Sequence, residues 1–135
     1  MRSLLAPLIL AASAALAGCS DQGSPEQVAD AFADAYFRRA DQEKAKEYTA
    51  LGATEMLDRE LREVAGLRRE GYGPTEAGVD VEVRRGASSK RDQRVRFPYE
   101  IVVKSGGTST TRDADIELAT IHGAWKVVRV GLKQR

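Results

Sequence analysis

The spacing of apolar residues changes at Pro74, and this change restricts the possible folds more than any other feature of the chain. From Val28 to Tyr36, apolar residues recur every three to four positions, which is typical of an amphipathic helix. From Val79 to Val83 they alternate with charged residues, which is typical of a strand with one wet face. Helices followed by antiparallel strands predict an α+β domain, with the helices packed on one side of the sheet.

Three helices are expected before Pro74. Ser24-Pro25-Glu26-Gln27 offers a capping hydroxyl, a proline at the first helical position and a glutamine three residues after the cap. The first helix should therefore start here and run to about Arg39. A second is expected from Asp41 to about Leu51, and a third is expected to be capped by Thr54 and to stop at residues 71–74.

Four strands are expected after Pro74. The first contains Val79 to Val83, and a polar turn at residues 86–90 leads to the second, from Val95 to Val103. Thr108 to Ile121 forms the third strand, and Ala124 to Leu132 returns as the fourth. The residues expected to face inward from the first two strands are apolar: Val79, Val81, Val83, Val95, Phe97, Ile101 and Val103.

Two short signatures add a resemblance to this element order. Ser24 to Val28 opens the first helix ahead of Phe32 and Tyr36, and Gly123-Ala124-Trp125-Lys126-Val127 lies in the last hairpin. With these features the segment from Ser24 to Leu132 resembles the nuclear transport factor 2-like superfamily, and within it small bacterial lipoproteins of unknown function. The resemblance implies a cone, in which a bent four-stranded antiparallel sheet wraps around the N-terminal helices and leaves a cavity at its wide end.

The N-terminus reads as an export signal. A positive start precedes the apolar run from Leu4 to Leu16, which is too short for the ~20 residues of a membrane-spanning helix. Leu16-Ala17-Gly18-Cys19 resembles the lipobox of bacterial lipoproteins, which implies cleavage between Gly18 and Cys19 and a lipid on the Cys19 thiol. The alternative is an ordinary secretory cleavage site beside a chance cysteine. The expected organisation is a signal peptide at 1–18, a lipidated tether at 19–24 and one domain at 25–135.

This organisation predicts a place in the cell envelope. Two or three acyl chains hold a protein stably on a bilayer, whereas one holds it only marginally. Ser20 follows the cysteine, which in Gram-negative lipoproteins favours the periplasmic face of the outer membrane. The chain has 21 Lys and Arg residues, and removing residues 1–18 removes one of them, Arg2. The mature domain then has 20 basic residues and 20 Asp and Glu residues, so its net charge is zero. A neutral domain in this compartment argues against nucleic acid as a partner.

No catalytic, metal or cofactor site is indicated. His122 is the only histidine and falls in an expected tight turn, and Cys19 is the only cysteine. Asp113, Asp115 and Glu117 share a strand face, which could attract a cation but is more typical of an exposed face. Tyr36, Tyr99 and Trp125 are ordinary core candidates that would also line a ligand pocket if the cone is open.

One local charge excess lies around the first hairpin. One explanation of this excess is an exposed strand edge, where like charges prevent the addition of another strand. The alternative is contact with anionic lipid or with an acidic protein. A single Asp92 stands among the six basic residues of this region: Arg84, Arg85, Lys90, Arg91, Arg94 and Arg96.

Three functions follow from these observations. The first is a membrane-anchored, non-enzymatic binding or interaction module with an envelope protein as its partner, which a filled cone with one exposed apolar patch would favour. The second is a small hydrophobic-ligand binder, which a continuous cavity would favour. The third is an isomerase-like or dehydratase-like enzyme, which an inward carboxylate near Tyr36 or Tyr99 would favour. The sequence names neither the partner nor the ligand.

Overall fold

The computed structural model describes residues 23–69 and 79–133, without the side chains of residues 66–69. The signal peptide, the Gly18–Cys19 cleavage site, the lipid on Cys19 and the helix stop at residues 71–74 lie outside these residues and stay predictions. The described elements confirm helices followed by an antiparallel sheet: α1 (Pro25–Ala33), a π-helical turn (Asp34–Arg38), α2 (Gln42–Lys46), α3 (Gly52–Arg69), β1 (Val79–Arg85), β2 (Ser89–Arg91), β3 (Arg94–Ser105), β4 (Thr108–Ile121) and β5 (Ala124–Lys133).

The first helix starts as the sequence predicts. The Ser24 hydroxyl accepts a hydrogen bond from the Gln27 amide at 3.2 Å, and the Gln27 side chain accepts one from the Ser24 amide at 3.0 Å. Pro25 occupies the first helical position, so this capping box satisfies amides that the helix leaves free. The α-helix ends at Ala33, however, and its last turn widens into a π-helix, in which Arg39 N–H donates to Asp34 C=O.

The second and third helices differ from their predicted bounds. Asp41 caps α2 as expected, but the helix ends at Lys46 rather than near Leu51. Gly52 begins α3, so Thr54 is not its N-cap. The Thr54 hydroxyl instead lies 2.9 Å from that of Thr49, which donates to the Lys46 carbonyl at 2.8 Å. The hydrogen bonds of Thr49 thus link the end of α2 to the first turn of α3. The spacing of apolar residues does not predict them.

The turn predicted at residues 86–90 is wrong, because residues 86–88 only interrupt the strand, β2 (Ser89–Arg91) follows them, and the tight turn lies at Asp92–Gln93. β1 and β2 both pair with β3, and Gly86 lies between them, with its N–H donating to Pro98 C=O at 2.7 Å. A Cβ on Gly86 would lie 2.8 Å from the Pro98 ring. Pro98 has no N–H for a ladder, so the break in β1–β2 lies where β3 cannot donate.

Each of the three hairpins closes with two residues of positive φ. They are Asp92–Gln93, Gly106–Gly107 and His122–Gly123, with φ between 48° and 80°. Positive φ at both central residues is the signature of the type I′ turn, whose twist matches that of the strands it joins. The meander from β2 to β5 is therefore set by tight local turns, and the β4–β5 turn lies where the sequence predicts it.

The sheet order is β1-β3-β4-β5, with all four strands antiparallel. β5 contains a bulge at Val128, so Val127 pairs with Leu118 while Val130 pairs with Ile116. This extra residue keeps Val127 and Val130 on the same face. The outer edge of β5 is covered, because Val127 exchanges backbone hydrogen bonds of 2.9 Å with Tyr48 and Ala50.

The concave face of the sheet packs on α1, the π-helical turn and α3, while α2 packs on the other helices, and these contacts form the core. Of the inward positions expected from the sequence, Val95, Phe97 and Ile101 are buried, whereas Val79 is 55% exposed. Within the described part of the chain, the centre of the cone is filled by large side chains that are almost fully buried: Phe32, Leu57, Phe97, Ile116, Leu118 and Val127. No helix among the described residues is long and apolar enough to cross a bilayer.

Candidate functional site

Tyr99 stands at the centre of a small polar cluster on the concave face. β3 carries Tyr99, the opposite position on β1 carries Arg85, and α1 brings Asp30 over both. The Tyr99 hydroxyl donates to Asp30 Oδ1 at 2.7 Å, and Arg85 donates to the other carboxylate oxygen. The Arg85 guanidinium also lies 5.6 Å from the centre of the Phe97 ring. The carboxylate of Asp30 therefore joins α1 to both strands.

This environment keeps Tyr99 protonated. Burial raises the pKa of Tyr99 far above its ordinary value, and the hydrogen bond to the Asp30 carboxylate raises it further, although Arg85 acts in the opposite direction. A tyrosine with a strongly raised pKa is a hydrogen-bond donor at neutral pH and not a proton acceptor. The cluster can hold α1 against the sheet, but Tyr99 is a poor general base.

A wide cleft adjoins this cluster. It is a cleft of 840 Å³ between α1 with its π-helical turn on one side and the edge strand β1 on the other. Its walls alternate acids and arginines, and the acids Asp34 and Glu82 form ion pairs with arginines at about 3 Å. The full lining is Asp30, Ala33, Asp34, Arg38, Tyr99 and β1 from Asp80 to Arg85. A polar partner suits such walls better than an apolar molecule does.

Tyr36 forms a second pair with a carboxylate. Its hydroxyl donates to Glu60 Oε1 at 2.6 Å, which joins the π-helical turn to α3. Its ring stacks on Phe32 at 5.3 Å and meets the edge of Phe37 at 4.9 Å. Burial raises the pKa of Tyr36 well above its ordinary value, and Glu60 adds to the effect through its hydrogen bond and charge. Tyr36 is therefore also held as a donor.

The cleft beside Tyr36 is smaller and more apolar. It has a volume of 420 Å³ and opens at the end of the sheet where β3 turns into β4. Apolar side chains from the π-helical turn and from β3 line it together with the Tyr36–Glu60 pair. The lining is Tyr36, Phe37, Gln42, Glu60, Ile101, Val103, Thr110, Arg112 and Leu132. An apolar surface with a few polar groups is the usual composition of a small-molecule site.

Trp125 lies at the opposite end of the sheet, half-buried between two depressions. One, of 360 Å³, is shared with Gly23 and the first turns of α1. The other, of 450 Å³, is shared with the β2–β3 hairpin from Lys90 to Val95. Tyr36, Tyr99 and Trp125 therefore line different depressions of the described structure. A ligand contact of any one of them stays a prediction.

The basic cluster predicted at the first hairpin is largely neutralised. Arg94 lies 3.1 Å from Glu117, and Asp115 receives Arg96 at 2.6 Å and Lys133 at 2.9 Å. Arg84 and Arg85 are also paired, with Glu82 and Asp30. Asp115 and Glu117, two of the three β4 acids that could have attracted a cation, thus serve as cross-strand partners. No group of three or more His, Cys, Asp or Glu in the described ranges could hold a metal.

Two basic residues of the hairpin remain at the surface, and His122 is exposed with them. Lys90 is exposed, and Arg91 lies 3.9 Å from its neighbour Asp92 with both side chains more than nine-tenths exposed. His122 occupies the β4–β5 turn at a φ of 51°, where the sequence predicts a solvated residue. The charge excess therefore shrinks to the tip of the β2–β3 hairpin.

Sequence reasoning missed Asp30 and Glu60. Each lies on a helix whose apolar stripe defines the predicted inner face, so each reads as an ordinary solvent-facing acid. The available signal was in the tyrosines, because a buried tyrosine hydroxyl usually finds a hydrogen-bond partner. That rule predicts an acceptor near Tyr36 and Tyr99, but the acceptors are 24 and 69 residues away in sequence and only the fold identifies them.

Comparisons with known proteins agree on the fold. A designed nuclear transport factor 2 protein with five substitutions has a TM-score of 0.54 and 11% identity, covering 80% of this chain and 95% of its own. Bd1075 of Bdellovibrio bacteriovorus has a TM-score of 0.52 and 10% identity, and the match covers 79% of this chain but 38% of Bd1075. No protein-family model and no curated protein matches the chain. The domain has the nuclear transport factor 2-like fold.

Proposed function

We propose that this chain is a lipid-anchored protein of the bacterial envelope whose domain binds a protein partner without catalysing a reaction. The sequence Leu16-Ala17-Gly18-Cys19 supports the anchor. The placement of α1 is compatible with it, since the helix begins at Pro25 and leaves only a short tether after Cys19. The domain would then work close to the membrane surface.

The observation that carries the binding function is the position of the open volume. Large side chains fill the centre of the described cone, and a cleft of 840 Å³ lies outside this centre, between α1 and β1. β1 is an edge strand, so a cleft that follows it from Asp80 to Arg85 offers backbone groups as well as charged side chains. An extended segment of a partner protein fits this arrangement.

Catalysis is the weaker interpretation, although both tyrosines have the carboxylate neighbour that would favour it. Both hydroxyls donate to carboxylates and have strongly raised pKa values, so neither tyrosine is matched to proton transfer near neutral pH. Asp30 is also ion-paired with Arg85. These groups serve better as links between helices and strands than as an acid and a base.

The anchor is tested by Cys19→Ala. We expect the wild-type chain to incorporate labelled palmitate and to fractionate with membranes, because the thiol accepts the lipid. The alanine variant should accumulate as an unprocessed or mis-sorted product without label. Palmitate on the alanine variant, or a wild-type chain without it, would show that Leu16–Cys19 is not a lipobox.

The binding site is tested by photo-crosslinking in cells. A photoreactive amino acid at Asp80 in the cleft should give one discrete crosslinked protein, whereas the same amino acid at exposed Glu55 on α3 should not. The crosslink should weaken when Glu82 is replaced by lysine in the same chain. Equal products from both positions, or none from position 80, would contradict a protein partner in this cleft.

A second candidate function is small-ligand binding beside Tyr36, favoured by the apolar lining of the 420 Å³ cleft. An environment-sensitive apolar dye should bind there and should be lost in Val103→Glu. Any turnover found in such a screen should be tested with Glu60→Gln and His122→Ala. Loss of turnover at an unchanged melting temperature would make the protein an enzyme.

A further inference from the structure

One end of the molecule gathers the start of the described chain and two hairpin turns. Here this surface is called the anchor end, and it comprises Gly23, the tip of the β2–β3 hairpin, the β4–β5 turn and Trp125. Trp125 connects the first two parts, because it lines one depression with Gly23 and another with Lys90 and Arg91. Strand register places the β4–β5 turn at the same edge, since Thr120 pairs with Trp125.

The chain leaves the described structure at this end. From Gly23 back to Cys19 the backbone can span at most about 14 Å. β3 alone has 12 residues and is roughly 36 Å long, so its far end lies well beyond the reach of that tether. A lipid on Cys19 would therefore hold the anchor end against the bilayer and the Tyr36 cleft away from it.

The charge of the anchor end matches an anionic bilayer. Among the described residues of this end, Arg94 pairs with Glu117, whereas Lys90 and Arg91 are exposed on the hairpin and Arg91 lies 3.9 Å from Asp92. Basic residues close to a membrane are attracted by anionic lipid headgroups over a distance limited by salt screening. The exposed part of an indole suits the boundary between headgroups and hydrocarbon.

We infer that the anchor end is a second, electrostatic contact with the membrane, in which Lys90 and Arg91 bind anionic lipid headgroups and Trp125 rests at the bilayer interface. This inference depends on the proposed lipid anchor, because the tether selects the surface that meets the bilayer. The domain then has a fixed orientation, with the 840 Å³ cleft between α1 and β1 and the 420 Å³ cleft beside Tyr36 open to the aqueous phase. The occupant of the anchor end is the bilayer itself and not a protein.

Trp125 reports this contact directly, because it is the only tryptophan of the chain. The lipidated full-length protein is purified in detergent, its Cys19 modification is verified by mass spectrometry, and it is reconstituted into two kinds of vesicle. Both contain phosphatidylcholine brominated in the acyl chain as a quencher, and only one contains phosphatidylglycerol. We expect a blue-shifted emission and strong quenching with phosphatidylglycerol, and weaker quenching without it or at high salt.

Matched charge reversals separate the hairpin from the general charge of the protein. Lys90→Glu and Arg91→Glu should each remove at least half of the quenching that phosphatidylglycerol adds, because one headgroup contact becomes repulsive. Lys104→Glu makes the same charge change at the far end of β3 and should leave the quenching unchanged. A loss that is equal in all three variants would overturn the role of the hairpin.

The remaining outcomes distinguish this inference from the proposed function. If Cys19 carries lipid and the protein is held on vesicles, but Trp125 is not quenched in either kind, the anchor stands and the anchor-end contact is refuted. If Cys19 carries no lipid, the proposed anchor fails and the orientation argument falls with it. Quenching that ignores phosphatidylglycerol would leave the tryptophan contact but refute the electrostatic one.

Discussion

On the concave face of the sheet Phe97 is almost completely buried, whereas Arg96, the next residue of β3, extends from the convex face to meet Asp115 across the strands. The packing of the concave face is stabilised by the burial of apolar surface, and this contribution depends little on salt or pH. The convex face is held by exposed charge pairs, each of small value and sensitive to both. One strand thus combines a large constant contribution to stability with a small adjustable one.

The Tyr99–Asp30 and Tyr36–Glu60 pairs are neither purely apolar contacts nor exposed ion pairs. Tyr99 is nearly as buried as Phe97, yet its hydroxyl ends on the half-exposed carboxylate of Asp30. It therefore has an apolar ring in the core and a polar link at the rim of the 840 Å³ cleft. Substitutions of the residues that make these three kinds of contact should rank the contacts by their effect on stability.

The largest loss is expected for Phe97→Ala. The ring is buried among residues of α1 and of the neighbouring strands, so truncation should lower the free energy of unfolding by about 3–5 kcal/mol. Urea unfolding of variant and parent, followed by circular dichroism, measures the difference. A loss below about 1 kcal/mol would mean that the concave face is not the main source of stability.

A smaller loss is expected for Trp125→Ala. The sequence alone suggests the full cost of a core tryptophan, but Trp125 is only half-buried between two depressions. Truncation should therefore cost less than the ~3–5 kcal/mol of a fully buried large aromatic residue. The same urea experiment tests this, and a cost equal to that of Phe97→Ala would show that the depressions beside Trp125 are closed in solution.

Tyr99→Phe keeps the ring and removes only the hydroxyl. Asp30 keeps its pairing with Arg85, so the change should cost about 1.5 kcal/mol, the lower end of the range for one hydrogen bond to a charged group. Tyr36→Phe is the matched change at the other pair, where Glu60 loses the hydrogen bond from Tyr36. If both variants melted like the parent, the two hydroxyl bonds would contribute nothing to stability and a role in binding or chemistry would gain support.

The smallest effect is expected on the convex face, and it should depend on pH. Burial raises the pKa of Asp115, but hydrogen bonds and charge from Arg96 and Lys133 outweigh it and lower the pKa below its ordinary value of 3.8. A lowered pKa in the folded state gives stability that is present above about pH 3.8 and is lost as the pH falls through the lowered value. Asp115→Asn should thus cost about 0.2–1 kcal/mol at neutral pH.

The difference between Asp115→Asn and the parent should disappear in acid. Melting temperatures of both proteins between pH 2 and pH 7 measure it, with Asp92→Asn at the exposed hairpin turn as the control. A difference that stays constant down to the lowest pH would assign the effect to lost packing and not to the ion pairs. High salt should shrink it at neutral pH.

The sequence predicts the fold well because the fold rests on periodicity. The α1 cap, the order of helices and strands and the inward Val95, Phe97 and Ile101 follow from local patterns that need no knowledge of distant residues. The local pattern predicts a turn at residues 86–90, whereas the structure has a strand break at Gly86. The break lies opposite Pro98, which is 12 residues further on in sequence and across the sheet. Local patterns fail wherever a contact between distant segments decides the backbone.

The candidate site was less predictable for the same reason. The sequence predicts that Tyr36, Tyr99 and Trp125 are core residues that would line a pocket if the cone is open. Their hydrogen-bond and packing partners lie on other elements, and their positions relative to one another depend on the whole fold. The charged residues could also be interpreted in more than one way. Taken alone, the basic residues of the hairpin indicate an interaction surface, and the acids of β4 indicate a cation site. Antiparallel pairing brings them together and removes most of both.

The type I′ turns have a consequence for the order of folding. A meander closed by two-residue turns makes most of its contacts between residues near in sequence, and a low contact order favours fast folding. The contacts of Tyr48 and Ala50 with Val127 join segments almost 80 residues apart and should form late. We expect a high φ-value for Ile116→Val and a low one for Thr49→Ser, which lies beside that junction; the reverse order would place the helices first.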